Sequence, residues 1–209
     1  MTDSFLIFVT LKIASPVQQS FLPLIGRRSQ AANWVDPATG GFAIYPTDDN
    51  PARVGLPFPV AFYGQNHNAI FVSFKGYISF TQPGAGPAVA QPTCLPTAAL
   101  PNDAIYALWQ NWDATQGGQV FVQQPDADRF VVTWSQMRRF AGDLPHSFQL
   151  VFFRDGALLL QYRAVQSPTT GTIGIENWDG TVATQVACAG AGDLPADGDA
   201  VSLDARLPW

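Results

Sequence analysis

One glutamate and two lysines, Glu176, Lys12 and Lys75, are all that the 209 residues hold of the charged helix formers that ordinarily coat solvated helices. Charged residues make up 13% of the chain, against about 25% in an average soluble domain. A helical surface layer is thereby excluded. Cysteine is almost as scarce: Cys94 and Cys188 stand far apart and neither sits in a C-x-x-C pair, which excludes a zinc ribbon and a thioredoxin-like site. The two histidines, His67 and His146, fall in stretches that read as loops. No G-x-S-x-G elbow, H-E-x-x-H helix or phosphate-binding loop is present. The expectation is a non-catalytic chain with no metal site.

Positive charge is also in short supply. The formal net charge is −5 and the pI near 4.7, whereas phosphate backbones are held by clustered Lys and Arg. Arg27-Arg28 and Arg138-Arg139 are isolated pairs and read as solvated strand or loop ends. No nucleic-acid partner is expected. No apolar run approaches the length of a membrane-spanning helix either.

What the chain does have is 15 Phe, 18 Gly and 17 Pro, together with a period of two. Over residues 70–80 the even positions Ile70, Val72, Phe74, Ile78 and Phe80 are apolar, while the odd ones include Ser73, Lys75 and Ser79. That alternation predicts a strand with one buried face, turned or bulged at Gly76. Residues 33–36 and 42–45 read as strands around Gly40-Gly41, and 104–109 as a central strand covered on both sides. Residues 119–123 and 130–135 flank Pro125-Asp126-Ala127-Asp128 as a hairpin with a wide loop. Residues 148–153 and 157–162 bracket Asp155-Gly156, a type I′ hairpin signal. Segments 172–176, 182–188 and 200–205 supply the last strands. The fold class predicted is all-β, an antiparallel sandwich or partly closed barrel with long Pro/Gly-rich loops, 81–101 above all.

Several of these pieces, in order, carry a family resemblance: Phe58-Pro59-Val60-Ala61-Phe62-Tyr63-Gly64, Ile70-Phe71-Val72-Ser73, Gly76-Tyr77-Ile78-Ser79-Phe80, Pro101-Asn102-Asp103-Ala104-Ile105-Tyr106-Ala107-Leu108-Trp109, Phe130-Val131-Val132-Thr133-Trp134, Phe148-Gln149-Leu150-Val151-Phe152 and Gly174-Ile175-Glu176-Asn177. Together they resemble the nidogen-type extracellular domain in its bacterial secreted or surface form, over roughly residues 32–203. The resemblance implies secretion or surface display, and bacterial relatives carry cysteines near the two found here. A Cys94–Cys188 disulfide is one expectation, closing a loop worth about 4 to 5 kcal/mol of chain entropy; two buried free thiols are the other. Relatives commonly follow the 104–109 strand with Trp-Asp-Asp, but this chain has Trp109-Gln110-Asn111-Trp112-Asp113.

Residues 32–209 therefore read as the domain and 1–31 as an N-terminal strand and connector. In the latter, Phe5, Ile7, Val9, Leu11 and Ile13 alternate with Leu6, Thr10 and Lys12, which fits a strand for this domain's sheet, a strand for donation to a neighbour, a degenerate signal or a disordered start. The Asp pairs Asp48-Asp49, Asp126/Asp128 and Asp197/Asp199 offer calcium-type oxygens, although turn-capping is the commoner use of such residues. Trp112 and Trp178 read as loop aromatics beside Asp113 and Asp179, hence as candidate ligand-binding loops. The function expected is non-catalytic extracellular adhesion or attachment to a matrix, envelope or partner-protein component, the partner being an extracellular protein or polysaccharide. A surface filament assembled through residues 5–13, binding copies of itself, is the alternative, and a carbohydrate-binding module a lesser one.

Overall fold

A computed structural model describes residues 26–29, 34–47, 50–84, 91–165 and 170–205. Among them lie β1 (Gly26–Ser29), β2 (Phe42–Ile44), β3 (Ala52–Phe62), β4 (Gln65–Val72), β5 (Tyr77–Ser79), β6 (Ala104–Trp109), β7 (Gln119–Asp126), β8 (Arg129–Met137), β9 (His146–Phe153), β10 (Leu158–Ala164), β11 (Thr172–Glu176), β12 (Ala183–Cys188), β13 (Ala191–Gly192) and β14 (Asp199–Leu203). They form two sheets, β1-β14-β10-β9-β8-β7-β2 and β13-β12-β11-β6-β5-β4-β3, antiparallel throughout. The sheets pack face to face and do not close, so of the two architectures expected the sandwich is the correct one. β1 falls inside the stretch that reads as connector and pairs with β14.

The core follows from alternation. Phe148, Leu150 and Phe152 of β9 meet Ile105 and Ala107 of β6, with Trp134, Tyr162, Ile78 and Ile175 filling the same layer. Hydrogen bonds cross between the sheets as well: Trp134 Nε1 donates to Ser73 O at 2.8 Å and Tyr162 OH to Ala107 O at 2.7 Å. Each buried ring thereby keeps its polar edge satisfied.

One strand is left out of the sequence reading, and three of its strand and turn readings need correction. Residues 52–62, full of proline, form the longest strand; Val54, Leu56, Phe58, Val60 and Phe62 turn inward while Arg53, Pro57 and Pro59 face out. The prolines are tolerated because β3 is an edge strand, where a missing N–H breaks no ladder, and the β3–β4 register shifts where they sit. Residues 34–40 are a loop and turn, not a strand. The β7–β8 connection is only Ala127-Asp128, since Asp126 already pairs with Arg129. At Asp155-Gly156 only the glycine has positive φ, so the type I′ turn is replaced by one that needs a single left-handed residue.

Candidate functional site

Ser73, Lys75 and Ser79 are buried along with their apolar neighbours, because the second sheet is covered on both faces. The cover is the loop over 91–103 at Tyr77 and Tyr106, and residues 111 and 112 at Lys75. Leu95 packs on Tyr77, Ala104, Tyr106 and Trp109; its N–H donates to Gln185 Oε1 at 2.8 Å, and Thr172 Oγ1 donates to Thr93 O at 2.8 Å. Cys94 is bonded to Cys188, with Cα atoms 5.5 Å apart. The disulfide expectation is thus met, and free thiols are not found.

Beneath this cover lie two carboxyls. Glu176 is fully buried and accepts from Thr97 N at 2.6 Å. The Tyr106 hydroxyl reaches both the Pro101 carbonyl and Glu176 Oε2, and one hydrogen facing two acceptors is best satisfied when Glu176 is protonated. Burial pushes the Glu176 carboxyl above the usual carboxylate range, against the opposing bonds from Thr97 and Tyr106. Asp103, 5% exposed, is pushed up to about 6 by burial. At the other end of the molecule the Arg139 hydrogen bonds hold Asp143 down at about 2.

A carboxyl raised in the folded state contributes stability below its unfolded value and loses it as pH rises through the folded one; a depressed carboxyl does the reverse. In urea unfolding the carboxyl contribution is accordingly greatest near pH 4, while the lowered imidazoles of His67 and His146 act the other way as pH falls below about 6.5. It should fall toward pH 2 as Asp143 is protonated, and fall by about 2 to 3 kcal/mol toward pH 7 as Asp103 ionises. Asp103→Asn should flatten the upper limb. An unchanged slope between pH 4 and 7 in that variant would refute the assignment.

Directly after Glu176 the chain makes a locked turn. Asn177 Oδ1 accepts from Thr181 N and Val182 N, both at 3.0 Å, and Asp179 Oδ1 accepts from Thr181 Oγ1 at 2.6 Å, which holds its carboxyl below the usual range. Gly180 lies so close to the covering loop that a Cβ there would stand 2.0 Å from Thr97 O. From this turn Trp178 projects into solvent, 70% exposed, with Val182 and Leu100 exposed on the same pair of abutting turns. Trp178 is thus a fixed aromatic with no packing role among the described residues.

The other predicted loop does something different. Trp112 is fully buried, its Nε1 donating to Leu108 O at 3.1 Å and its ring 4.9 Å from His146 and 5.8 Å from Phe148. It belongs to the core and offers nothing to a ligand. Asp113 caps the short 3-10 turn Ala114–Gln116 through Thr115 N at 2.8 Å. The two candidate loops also lie apart. Ala104 pairs with Glu176 and Trp109 with Thr172, so residues 110–113 and 177–179 leave opposite ends of the β6–β11 ladder, about 17 Å apart at the usual rise per residue.

Neither histidine is in a loop. His67 lies in β4, its ring 4.4 Å from Phe80. His146 opens β9, 1% exposed and 3.8 Å from Asp143 Oδ2; burial, the largest influence, lowers its pKa despite that carboxylate. A neutral imidazole packed on Trp112 is structural. Asp126 is occupied by Arg129 at 2.7 Å, and Asp197 and Asp199 accept from backbone Val165 N and Ala196 N. The Asp48-Asp49 pair and the 5–13 segment lie outside the described residues.

One feature escaped the sequence reading: Trp34. It sits on the strap over 34–41, which crosses the outer face of the first sheet with Val35 against Val131 and Val151. Clefts of about 610 and 520 Å³ open beside it, both lined by Trp34 and Asp36. Read as part of a strand, it gave no sign of this placement.

An antiparallel two-sheet sandwich, disulfide-pinned, with an exposed tryptophan on a tied-down turn and clefts on its outer face, defines a β-sandwich module. The family model described as NIDO related matches residues 28–197, and the chain belongs to that family of nidogen-like domains. Such domains are usually extracellular, which the disulfide fits. Neither the comparison with curated proteins nor that with solved structures gives a match. Among the described residues no helix is long and apolar enough to cross a membrane.

Proposed function

We propose that this chain is a non-catalytic extracellular attachment module that grips a matrix, envelope or partner-protein component through the Trp178 turn. The supporting observation is Trp178 itself, 70% exposed on a turn with its amides tied down. An aromatic presented on a rigid frame loses little conformational entropy on docking, and such residues dominate binding energies. Val182, which closes the same turn, is also exposed.

The test is biolayer interferometry against a panel of extracellular matrix proteins and envelope polysaccharides. Wild-type protein should bind at least one component, and Trp178→Ala should weaken that binding about tenfold or more with the melting temperature unchanged. Equal binding by the variant, or turnover of any polymer on the panel, would overturn the reading.

A further inference from the structure

The outer face of the first sheet carries an unresolved polar problem. Gln149 of β9 and Gln161 of β10 stand directly opposite one another in register, 0% and 2% exposed. Among the described residues neither Nε2 nor Oε1 of either side chain has a hydrogen-bond partner, and the same holds for Trp34 Nε1. Each buried polar group left so costs about 1 to 3 kcal/mol, and native proteins retain few without a reason. Purely apolar residues at 149 and 161 would continue the packing already set by Val131, Val151 and Leu159.

The 520 Å³ cleft gives a reason for Gln161, which lines it, with Gln149 one strand away from that residue. It is lined by Gln161, Trp34, Asp36, Arg163, Asp197 and Asp199. Arg163 lies over the Trp34 ring, 5.7 Å from its centroid, and 4.0 Å from Asp36. Asp197 and Asp199 are each fixed by a backbone N–H, at 2.7 and 2.8 Å. The set therefore comprises an indole wall, an amide able both to donate and to accept, three carboxylates and one guanidinium.

This combination selects its ligand by elimination. Three carboxylates against one guanidinium repel phosphate, sulfate and uronate groups. A metal ion is disfavoured because, among the described residues, no three acidic, His or Cys side chains gather closely enough. A cationic side chain would be drawn to the carboxylates, but ammonium and guanidinium groups only donate, which leaves Gln161 Nε2 without an acceptor. Hydroxyl groups on a ring with an apolar face answer all of it: they donate to carboxylates, exchange hydrogen bonds with an amide directly or through water, and lay C–H groups on an indole.

We propose that the cleft beside Trp34 binds a neutral saccharide, at a site separate from the Trp178 turn. Intrinsic fluorescence and calorimetric titrations with maltotriose, cellotriose and triacetylchitotriose, and with polygalacturonate as the anionic control, test it. At least one neutral trisaccharide should saturate the protein, and polygalacturonate should not. Gln161→Leu should weaken binding at least tenfold while raising the melting temperature, because an orphan amide is removed; Trp178→Ala should bind sugar as the wild type does. Should Gln161→Leu fail to fold, Arg163→Ala, at a 60% exposed side chain, is expected to weaken binding in its place. Absence of binding by every neutral probe, equal binding of polygalacturonate, or undiminished affinity in the cleft variants overturns the proposal. Loss of sugar binding in Trp178→Ala also overturns it, by moving the site to the turn.

Discussion

Replacing both Cys94 and Cys188 with alanine is expected to lower the free energy of unfolding by about 4 kcal/mol, the loss of chain entropy for a bridge closing a loop of this size. The two residues are 94 apart in sequence, so the unlinked chain regains most of the freedom that the bridge withholds. A second loss adds to the first. The covering loop lacks strand hydrogen bonds and is held by the bridge, by the packing of Leu95 on Tyr77, Tyr106 and Trp109, and by the bonds to Gln185, Glu176 and Thr172.

Denaturant unfolding of the double variant, compared with Leu95→Ala, separates the two contributions. Leu95→Ala keeps the bridge and should cost about 2 kcal/mol as a partly collapsible packing defect. The double variant should cost more, and should show altered tryptophan emission before global unfolding as Trp109 loses its cover. A total change under about 1 kcal/mol would mean that the loop holds itself down without the bridge.

The sandwich was legible because burial writes itself into alternation. Residues 70–80 show it in sequence, the hairpin over 148–153 and 157–162 is marked by its Asp155-Gly156 turn, and 104–109, apolar throughout, is buried on both faces as a continuous run predicts. Failures cluster where tertiary context overrides local pattern. Proline at 57 and 59 argues against a strand unless the strand is known to be an edge, and edge position is a property of the whole sheet. Ser73, Lys75 and Ser79 looked solvent-facing because the sequence does not show that later segments, residues 111 and 112 at Lys75 and Trp134 at Ser73, come to cover this strand pair. Lys75 is 2% exposed, its Nζ donating to Trp112 O and to Asn111 Oδ1 at 3.0 Å.

The candidate site divides in the same way. Trp112 and Trp178 have similar neighbours in sequence, Asn and Asp, yet one is core and the other solvent. Trp112 follows β6 by three residues and is drawn inward by Leu108 O and the His146 ring, whereas Trp178 lies on a turn whose backbone is satisfied by its own Asn and Asp. Trp34 gave no signal, since its importance comes from Gln161 and Arg163, more than a hundred residues later.

Gly76→Ala is expected to be among the most damaging substitutions of a single small residue, at about 4 kcal/mol. Gly76 has φ of +85°, where alanine carries a penalty of about 1 kcal/mol. The larger part is steric. A Cβ at 76 would stand 2.2 Å from Leu108 O and 2.9 Å from Trp112 Nε1. The Gly76 carbonyl already accepts from Ala107 N at 3.1 Å and Leu108 N at 3.0 Å, so the turn cannot withdraw without breaking these bonds and the Trp112 Nε1 bond to Leu108 O. Two other glycines divide the effect into its parts. Gly142 has the same φ of +85° with open space around its Cβ position, and Gly55 has open space without a positive φ. Urea unfolding should therefore rank Gly55→Ala near zero, Gly142→Ala at about 1 kcal/mol and Gly76→Ala far beyond both. If Gly76→Ala costs no more than Gly142→Ala, the close docking of this turn on β6, and with it the inward anchoring of Trp112, is wrong.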